Sequence, residues 1–310
     1  LLTYQLAFAW NWEYDSDFAA FLEAACARRQ LSLLQIVPAN LPEVLARLAS
    51  GELAFQALYD RAGDADPAYL PLVTWAASHQ ALHVNEYHAA RRAWDKATMH
   101  LEFMTAGLHI PNTIIVAPHA EQPDHPVPDL ATLGSHFSIK PAHGGGGSGV
   151  ITHATSWKQV QAARLQDPND KYLLQEWITP AVCGERRAWF RPIYACGRVF
   201  LNWWDDQTHI YTPLTLEAEE RLGLGCVREM VLAIAEVCQL DIFSTEIALD
   251  QDGRWLSVDY TNDPIDMRLQ SKAAQGVPDA VVASIADALA AYAADWVRAC
   301  AVRPGRTCCA

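Results

Sequence analysis

The stretch that most constrains this chain runs Phe243-Ser-Thr-Glu-Ile-Ala-Leu-Asp250, then Gln-Asp-Gly, then Arg254-Trp-Leu-Ser-Val-Asp-Tyr260. Two alternating runs flank Asp252-Gly253, a strong signal for a two-residue hairpin turn. With that turn, Leu249 meets Leu256, Ile247 meets Val258 and Thr245 meets Tyr260 on one apolar face. The other face pairs Ala248 with Ser257 and Glu246 with Asp259. Directly opposed side chains have Cβ atoms about 4.5–5.5 Å apart, and like charges there repel. Such a pair persists if a cation sits between the acids or if they share a proton. Hard oxygen ligands of this kind suit Mg2+. The pairing alone leaves two readings open: a metal-bridging pair, or two acids on a solvated sheet face.

Length and charge narrow the classes. A chain of 310 residues fits about two domains of ordinary size. A net charge of −13 argues against a nucleic-acid groove, although glycine backbone and a few lysines can still hold phosphates locally. Eight cysteines lack C-x-x-C spacing, so they read as reduced thiols of a cytoplasmic protein, with Cys308-Cys309 in a frayed tail. The apolar runs fall short of a membrane span, and no secretory leader is visible.

Residues 1–92 alternate strand and helix. Leu6 to Trp10, Leu31 to Val37 and Phe55 to Tyr59 read as strands. Phe18, Phe21, Leu22 and Ala25 mark one helix, and Leu41 to Leu48 a second. This rhythm predicts a small parallel sheet, without the G-x-G-x-x-G of a dinucleotide site. Residues 86–107 read as one helix containing Asp95-Lys96. Strands follow at 110–116 and 172–178, with a proline-rich loop at 119–129. Trp189 to Trp204 reads as a hairpin turning at Cys196-Gly197, Ala218 to Gln239 as helix, and Asp279 to about Val302 as a terminal helix.

Ser138-Ile-Lys140-Pro-Ala-His143-Gly144-Gly145-Gly146-Gly147-Ser148-Gly149-Val150 is the second strong feature. Four consecutive glycines are not favoured by packing, because glycine loses the most entropy on ordering. They suit a mobile loop whose bare N–H groups wrap phosphate oxygens. Strand alternation puts Ser138 and Lys140 on the polar side, beside that loop. His143 reads as a solvated loop residue. Adjacent Trp203 and Trp204 face opposite ways, one into core and one toward a pocket.

These features resemble the ATP-grasp superfamily, in register over most of the chain. The motifs are Asp95-Lys96, Gly107-Leu-His-Ile-Pro111-Asn-Thr113, Lys140-Pro with the glycine loop, Leu174-Gln175-Glu176-Trp177-Ile178, Gly184-Glu185-Arg186-Arg187, Glu246, and Asp259 with Asn262-Asp263-Pro264. The resemblance implies an α/β N-terminal domain (1–92) and α+β ATP-grasp lobes. These are a small lobe (93–180), a large lobe (181–303) and a tail (304–310). It implies that ATP is bound by Lys96, Lys140, Gly144, Gly145, Gly146, Gly147, Ser148, Gln175, Glu176, Trp177, Ile178 and Glu185. It implies one or two Mg2+ ions on Glu246, Asp259 and Asn262, and catalytic roles for Arg187 and Arg268. Arg187 is the candidate for the transferred phosphate. Arg268 holds a substrate carboxylate or pairs with Asp266 or Asp263. The implied activity is carboxylate–amine or carboxylate–thiol ligation on small-molecule or peptide substrates, with no nucleic acid or membrane partner. A homodimer is compatible with it. A small-molecule kinase of inositol-phosphate type and a nucleotide-binding protein without turnover are the alternatives.

One departure matters. The family usually spaces its acid and asparagine by two residues, which keeps both on one strand face. Here Asp259 and Asn262 are three apart. The spacing predicts a bulge or a strand end after Tyr260 that turns Asn262 back toward the metal, failing which Asp263 or a water replaces it.

Overall fold

The computed structural model describes residues 1–302, so Cys308, Cys309 and the rest of the tail lie outside the described residues. The N-terminal region builds a four-stranded parallel sheet in the order Leu33–Ile36, Leu6–Ala9, Ala57–Asp60, Leu82–Val84. The expected Phe55-to-Tyr59 strand is divided: Leu53–Phe55 leaves the sheet to pair with Leu2–Tyr4. Helices Ser16–Arg28, Leu41–Ala49 and Leu70–Ser78 cross between these strands. The carboxyl ends of the strands carry Trp10–Tyr14, Asp60–Arg61 and Asn85, the edge where open α/β sheets bind ligands.

The expected helix over 86–107 is two helices, Tyr87–Trp94 and Lys96–Thr105. Asp95 separates them in extended conformation (φ −83°, ψ 98°) and caps the second through Ala97 N and Thr98 N. An aspartate at that position satisfies orphan helix N–H groups, which outcompetes its place inside a continuous helix. Lys96 is thereby fixed in a helix's first turn. The small lobe is an antiparallel sheet in the order Thr113–Val116, Tyr172–Glu176, Phe137–Pro141, Ile151–Ala154. The buried Arg164 donates to the carbonyls of Ala117, Pro118 and Gln122, tying down the proline-rich loop.

The large lobe is built on strand Ile242–Leu249. Strands Ile193–Ala195 and Trp189–Phe190 pair along one edge, and Trp255–Asn262 pairs along the other. The hairpin at Cys196-Gly197 forms as expected, with positive φ at both residues. The helix expected over 218–239 breaks at Gly223 (φ 67°) into Leu216–Leu222 and Gly225–Cys238. Helix Asp279–Val302 joins the molecule's two ends. Its buried alanines, Ile285 and Leu289 share one core with Phe8, Phe18 and Leu22 of the N-terminal region. Contrary to the sequence reading, its stretch Asp279–Ala301 is long and apolar enough for a membrane span (mean hydropathy 1.4), and half of it is buried in this core. Cys26, Cys183, Cys196, Cys226 and Cys238 are free thiols.

Asn85 staples the N-terminal sheet to the large lobe. Its Oδ1 accepts from Asp241 N and Ile242 N, each at 2.8 Å. Its Nδ2 donates to Ile242 O and to Asp263 Oδ1, each at 2.6 Å. Arg61 adds a second buried tie, donating to Asp15 Oδ1 at 2.7 Å and Ile265 O at 2.8 Å. Removing one partner of a buried network strands the others. Asn85→Ala is therefore expected to destabilise the fold by about 2–4 kcal/mol in urea unfolding. A loss below about 0.5 kcal/mol would show that this staple is not structural.

Candidate active site

The metal-strand hairpin differs at its turn from the sequence reading. Asp250 pairs with Arg254, leaving a three-residue loop Gln251-Asp252-Gly253 with Gly253 at φ 80°. A three-residue loop with a left-handed glycine is a common hairpin connection. Asp250 explains the preference, because its carboxylate accepts from Asp252 N, Arg254 N and Arg254 Nε. Near the turn the partners therefore shift by one: Leu249 with Trp255, Ala248 with Leu256, Ile247 with Ser257.

Two bulges in strand Trp255–Asn262 then restore and advance the register. The first skips Val258 and brings Glu246 opposite Asp259, as the hairpin reading expected. The second inserts a residue between Asp259 and Asn262, so that Ser244 meets Asn262. This is the bulge that the three-residue spacing predicts. Asn262 Nδ2 reaches Asp259 Oδ2 at 3.3 Å. Asp263 does not complete the set. Its carboxylate is taken by Asn85, and burial pushes it up to about 7. Thr245 Oγ1 and Ser257 Oγ both donate to Asp259 O, at 2.7 and 3.1 Å, and fix that residue's main chain.

Glu246 has strong partners that sequence reading missed. Arg191 Nη1 donates to Glu246 Oε1 at 3.1 Å, and Trp189 Nε1 donates to Oε2 at 3.0 Å. The cause is register: Trp189 lies opposite Ala248 and Phe190 opposite Ile247, so Arg191 arrives beside Glu246. Arg191 also lies over Trp204 (4.6 Å) and Tyr211 (5.9 Å). Trp203 stacks on Phe190 in one core and Trp204 is buried in another, so the two face opposite ways as expected, but both are core residues and neither is left open to a pocket. Only the non-local pairing of two strands about fifty residues apart could have revealed Arg191; the i, i+2 spacing from Trp189 is the one local hint.

Lys140 crosses from the small lobe to this strand. Its Nζ donates to Gln175 Oε1 at 2.7 Å and to Val258 O at 3.2 Å. Val258 is the first bulged residue, and a bulge leaves a residue unpaired in the ladder. Two of the ammonium's three donors are thus engaged. Burial lowers the Lys140 pKa and Lys96 adds to that, while Asp259 and Glu246 oppose it. The two acids differ. Burial pushes Glu246 upward, with Asp259 adding to it. Burial also acts upward on Asp259, but Lys140, Lys96, Arg191 and the Asn262 hydrogen bond outweigh it and hold this carboxyl below its usual range.

The glycine loop sits above. Lys96 Nζ donates to Gly144 O, and Lys96 N to Ala142 O. Added Cβ atoms on Gly144 to Gly147 would meet nothing within 4 Å, so packing does not require these glycines. Gly144, Gly146 and Gly147 have positive φ, which does require them. Ser148 closes the loop by donating its N–H to Gly145 O. His143 is a solvated loop residue, as expected, with its side chain 58% exposed. Asp170 accepts from its main-chain N–H and also bonds its ring Nδ1, anchoring the root of the loop.

The remaining expected residues divide. Gln175 is buried and orients Lys140; its Nε2 also reaches Tyr260 Oη at 3.4 Å, and Tyr260 Oη meets His100 Nδ1 at 2.9 Å. Glu176 holds Asn112 N with its carboxylate. Trp177 and Ile178 follow the strand's end, with Trp177 against His153 (4.2 Å) and Ile178 buried. Glu185 lies on the exposed turn of a small hairpin. Arg187 is not brought to the acids; it forms a two-pronged pair with Asp206 at 2.7 and 2.8 Å. Arg268 pairs with Asp266 at 2.6–3.0 Å, the second of the two roles weighed for it.

No family model and no curated protein matches the chain. Solved structures do, over nearly its whole length. A RimK-domain ATP-grasp protein from Sphaerobacter thermophilus matches at TM-score 0.62 and 19% identity, covering 93% of this chain and 98% of its own. This chain has the ATP-grasp fold. D-alanine–D-alanine ligase from Bacillus anthracis, complexed with ATP, matches at TM-score 0.65 and 12% identity, covering 96% and 98%. The ATP-grasp ligase PsnB, complexed with minimal precursor, Mg and ADP, matches at 0.59 and 16%, covering 94% and 98%.

The hydrogen-bonded series Lys140–Gln175–Tyr260–His100 gives a direct test of how Lys140 is held. Gln175→Met leaves Val258 O in place but removes the amide acceptor. It is expected to weaken binding of a non-hydrolysable ATP analogue roughly tenfold by calorimetry. Tyr260→Phe should weaken it less. Unchanged affinity in both would show that Lys140 is not positioned this way.

Proposed function

We propose that this chain is an ATP- and Mg2+-dependent ligase that joins a substrate carboxylate to an amine or a thiol. One observation carries this reading: Lys140, Arg191, Glu246 and Asp259 converge from two lobes on one point beneath a glycine loop. The solved ATP-grasp structures with ATP, or with Mg and ADP, support it.

The donor set fits Mg2+. It offers two carboxylates and one amide, hard oxygens suited to that ion, and a bulge turns Asn262 onto Asp259. Glu246, Asp259 and Asn262 would hold it, and the ion would supply neutralisation of phosphate charge. Lys140 and Lys96 present ammonium groups to the same phosphates. Arg191 takes the role that the resemblance gave to Arg187, because its guanidinium faces the acids while Arg187 is engaged by Asp206.

In the proposed reaction a substrate carboxylate oxygen attacks the γ-phosphorus. The bond to the β–γ bridging oxygen breaks and ADP leaves. The amine or thiol then attacks the acyl carbon, and inorganic phosphate leaves with the bonding pair. The side chains supply charge and position, and none serves as a covalent nucleophile. Residues 143–149 close over the site and exclude water from the acyl-phosphate. Adenine lies along the main chain from Gln175 to Ile178, where Trp177 and Ile178 follow the strand's last ladder pair, Glu176 with Phe137.

Panels of acids with and without amine or thiol acceptors test this reading. ADP release that needs both substrates supports the ligase; a stable phosphorylated product obtained without an acceptor favours a small-molecule kinase. Asp259→Asn and Glu246→Gln are each expected to lower Mg2+-dependent turnover by at least about a hundredfold. Turnover retained in both would overturn the metal assignment.

A further inference from the structure

Trp12 and Tyr14 are, among the described residues, the two aromatic side chains that stay exposed, at 38% and 49%. They are neighbours, with ring centroids 5.0 Å apart in an edge-to-face arrangement. Both lie just beyond strand Leu6–Ala9, at the carboxyl edge of the N-terminal sheet. Arg268, from the loop that follows the metal strand, places its guanidinium 5.8 Å from each ring centre. Two adjoining exposed rings offer a flat apolar surface that a ligand can cover.

Joining the two regions does not explain these rings. Buried contacts already close that seam: Arg61 to Asp15 and Ile265, and Asn85 to Asp241, Ile242 and Asp263. The cluster is continuous with the active site. Asp266 holds Arg268 through two oxygens. Gln270, two residues after Arg268, donates to Tyr211 O at 2.9 Å, and Arg191 lies over the Tyr211 ring, so the loop that carries Arg268 reaches the residue paired with Glu246.

We infer that Trp12, Tyr14 and Arg268 form the substrate-recognition subsite, and that it takes a planar apolar group, an aromatic ring, carried close to the reacting carboxylate. Two exposed aromatic surfaces and a guanidinium plane offer stacking to a ring. Asp266 neutralises Arg268, so the subsite attracts a flat neutral group in preference to a second free acid. The carboxylate itself points inward, toward Arg191. This inference rests on the proposed ATP-dependent activation of a carboxylate and names its substrate class.

The test uses the full chain with Mg2+ and a non-hydrolysable ATP analogue, whose binding is measured first. N-acetylphenylalanine and N-acetylalanine are then titrated by calorimetry. The ring is expected to bind about tenfold more tightly than the methyl group. Trp12→Ala should erase that preference and leave nucleotide affinity within about twofold, while Trp12→Phe should keep most of it. Equal affinity for the two probes, binding of neither, or a preference that survives Trp12→Ala would overturn the subsite while leaving the ligase reading intact. Failure of the nucleotide to bind would overturn both.

Discussion

The twice-bulged strand Trp255–Asn262 is the constraint on which the site depends. A regular hairpin closed at Gln251-Asp252-Gly253 would put Glu246 out of step with Asp259 and turn Asn262 away. Each bulge adds a residue to one strand only, and each has a separate consequence. The first brings the two acids face to face and releases the Val258 carbonyl, which Lys140 takes from the other lobe. The second swings Asn262 onto Asp259. Opposed carboxylates repel, so the arrangement persists only because cations surround it: Arg191 on Glu246, and Lys140 and Lys96 acting on Asp259. The unequal shifts of the two acids follow from that unequal neighbourhood.

The rest of the molecule holds this strand in place. Thr245 and Ser257 pin the Asp259 carbonyl. Tyr260 points to the opposite side, into the relay through Gln175 that orients Lys140. Beyond Asn262, Asp263 and Ile265 are tied to the N-terminal sheet by Asn85 and Arg61. Strand, phosphate lysine and N-terminal region thus share one set of buried hydrogen bonds, and a shift in any of them moves the acids.

Much of this was legible in the sequence because it is local. Hairpin alternation reached the Glu246–Asp259 pairing through a turn one residue too short, an error that the first bulge offsets; the three-residue spacing gave the second bulge, and four glycines beside Lys140 gave the loop. What was hidden is mainly non-local. Arg191 reaches Glu246 through a pairing between distant strands, whereas Arg187 looked better because it sat in a family-like motif. Gln175 looked like an adenine contact from its place in the hinge segment, yet alternation points its side chain at Lys140. Two misreadings were local and had competing causes. Asp250 offers three hydrogen bonds that favour a longer turn over Asp-Gly, and Asp95 caps a new helix where periodicity alone suggested continuation.

The most direct measurement is a crystal structure of the chain with Mg2+ and a non-hydrolysable ATP analogue. The account predicts a metal ion bonded to oxygens of Glu246 and Asp259 at about 2.0–2.1 Å, with Lys140 Nζ on a phosphate oxygen. A nucleotide seated away from Lys140, or a metal ion that leaves either acid uncoordinated, would contradict it.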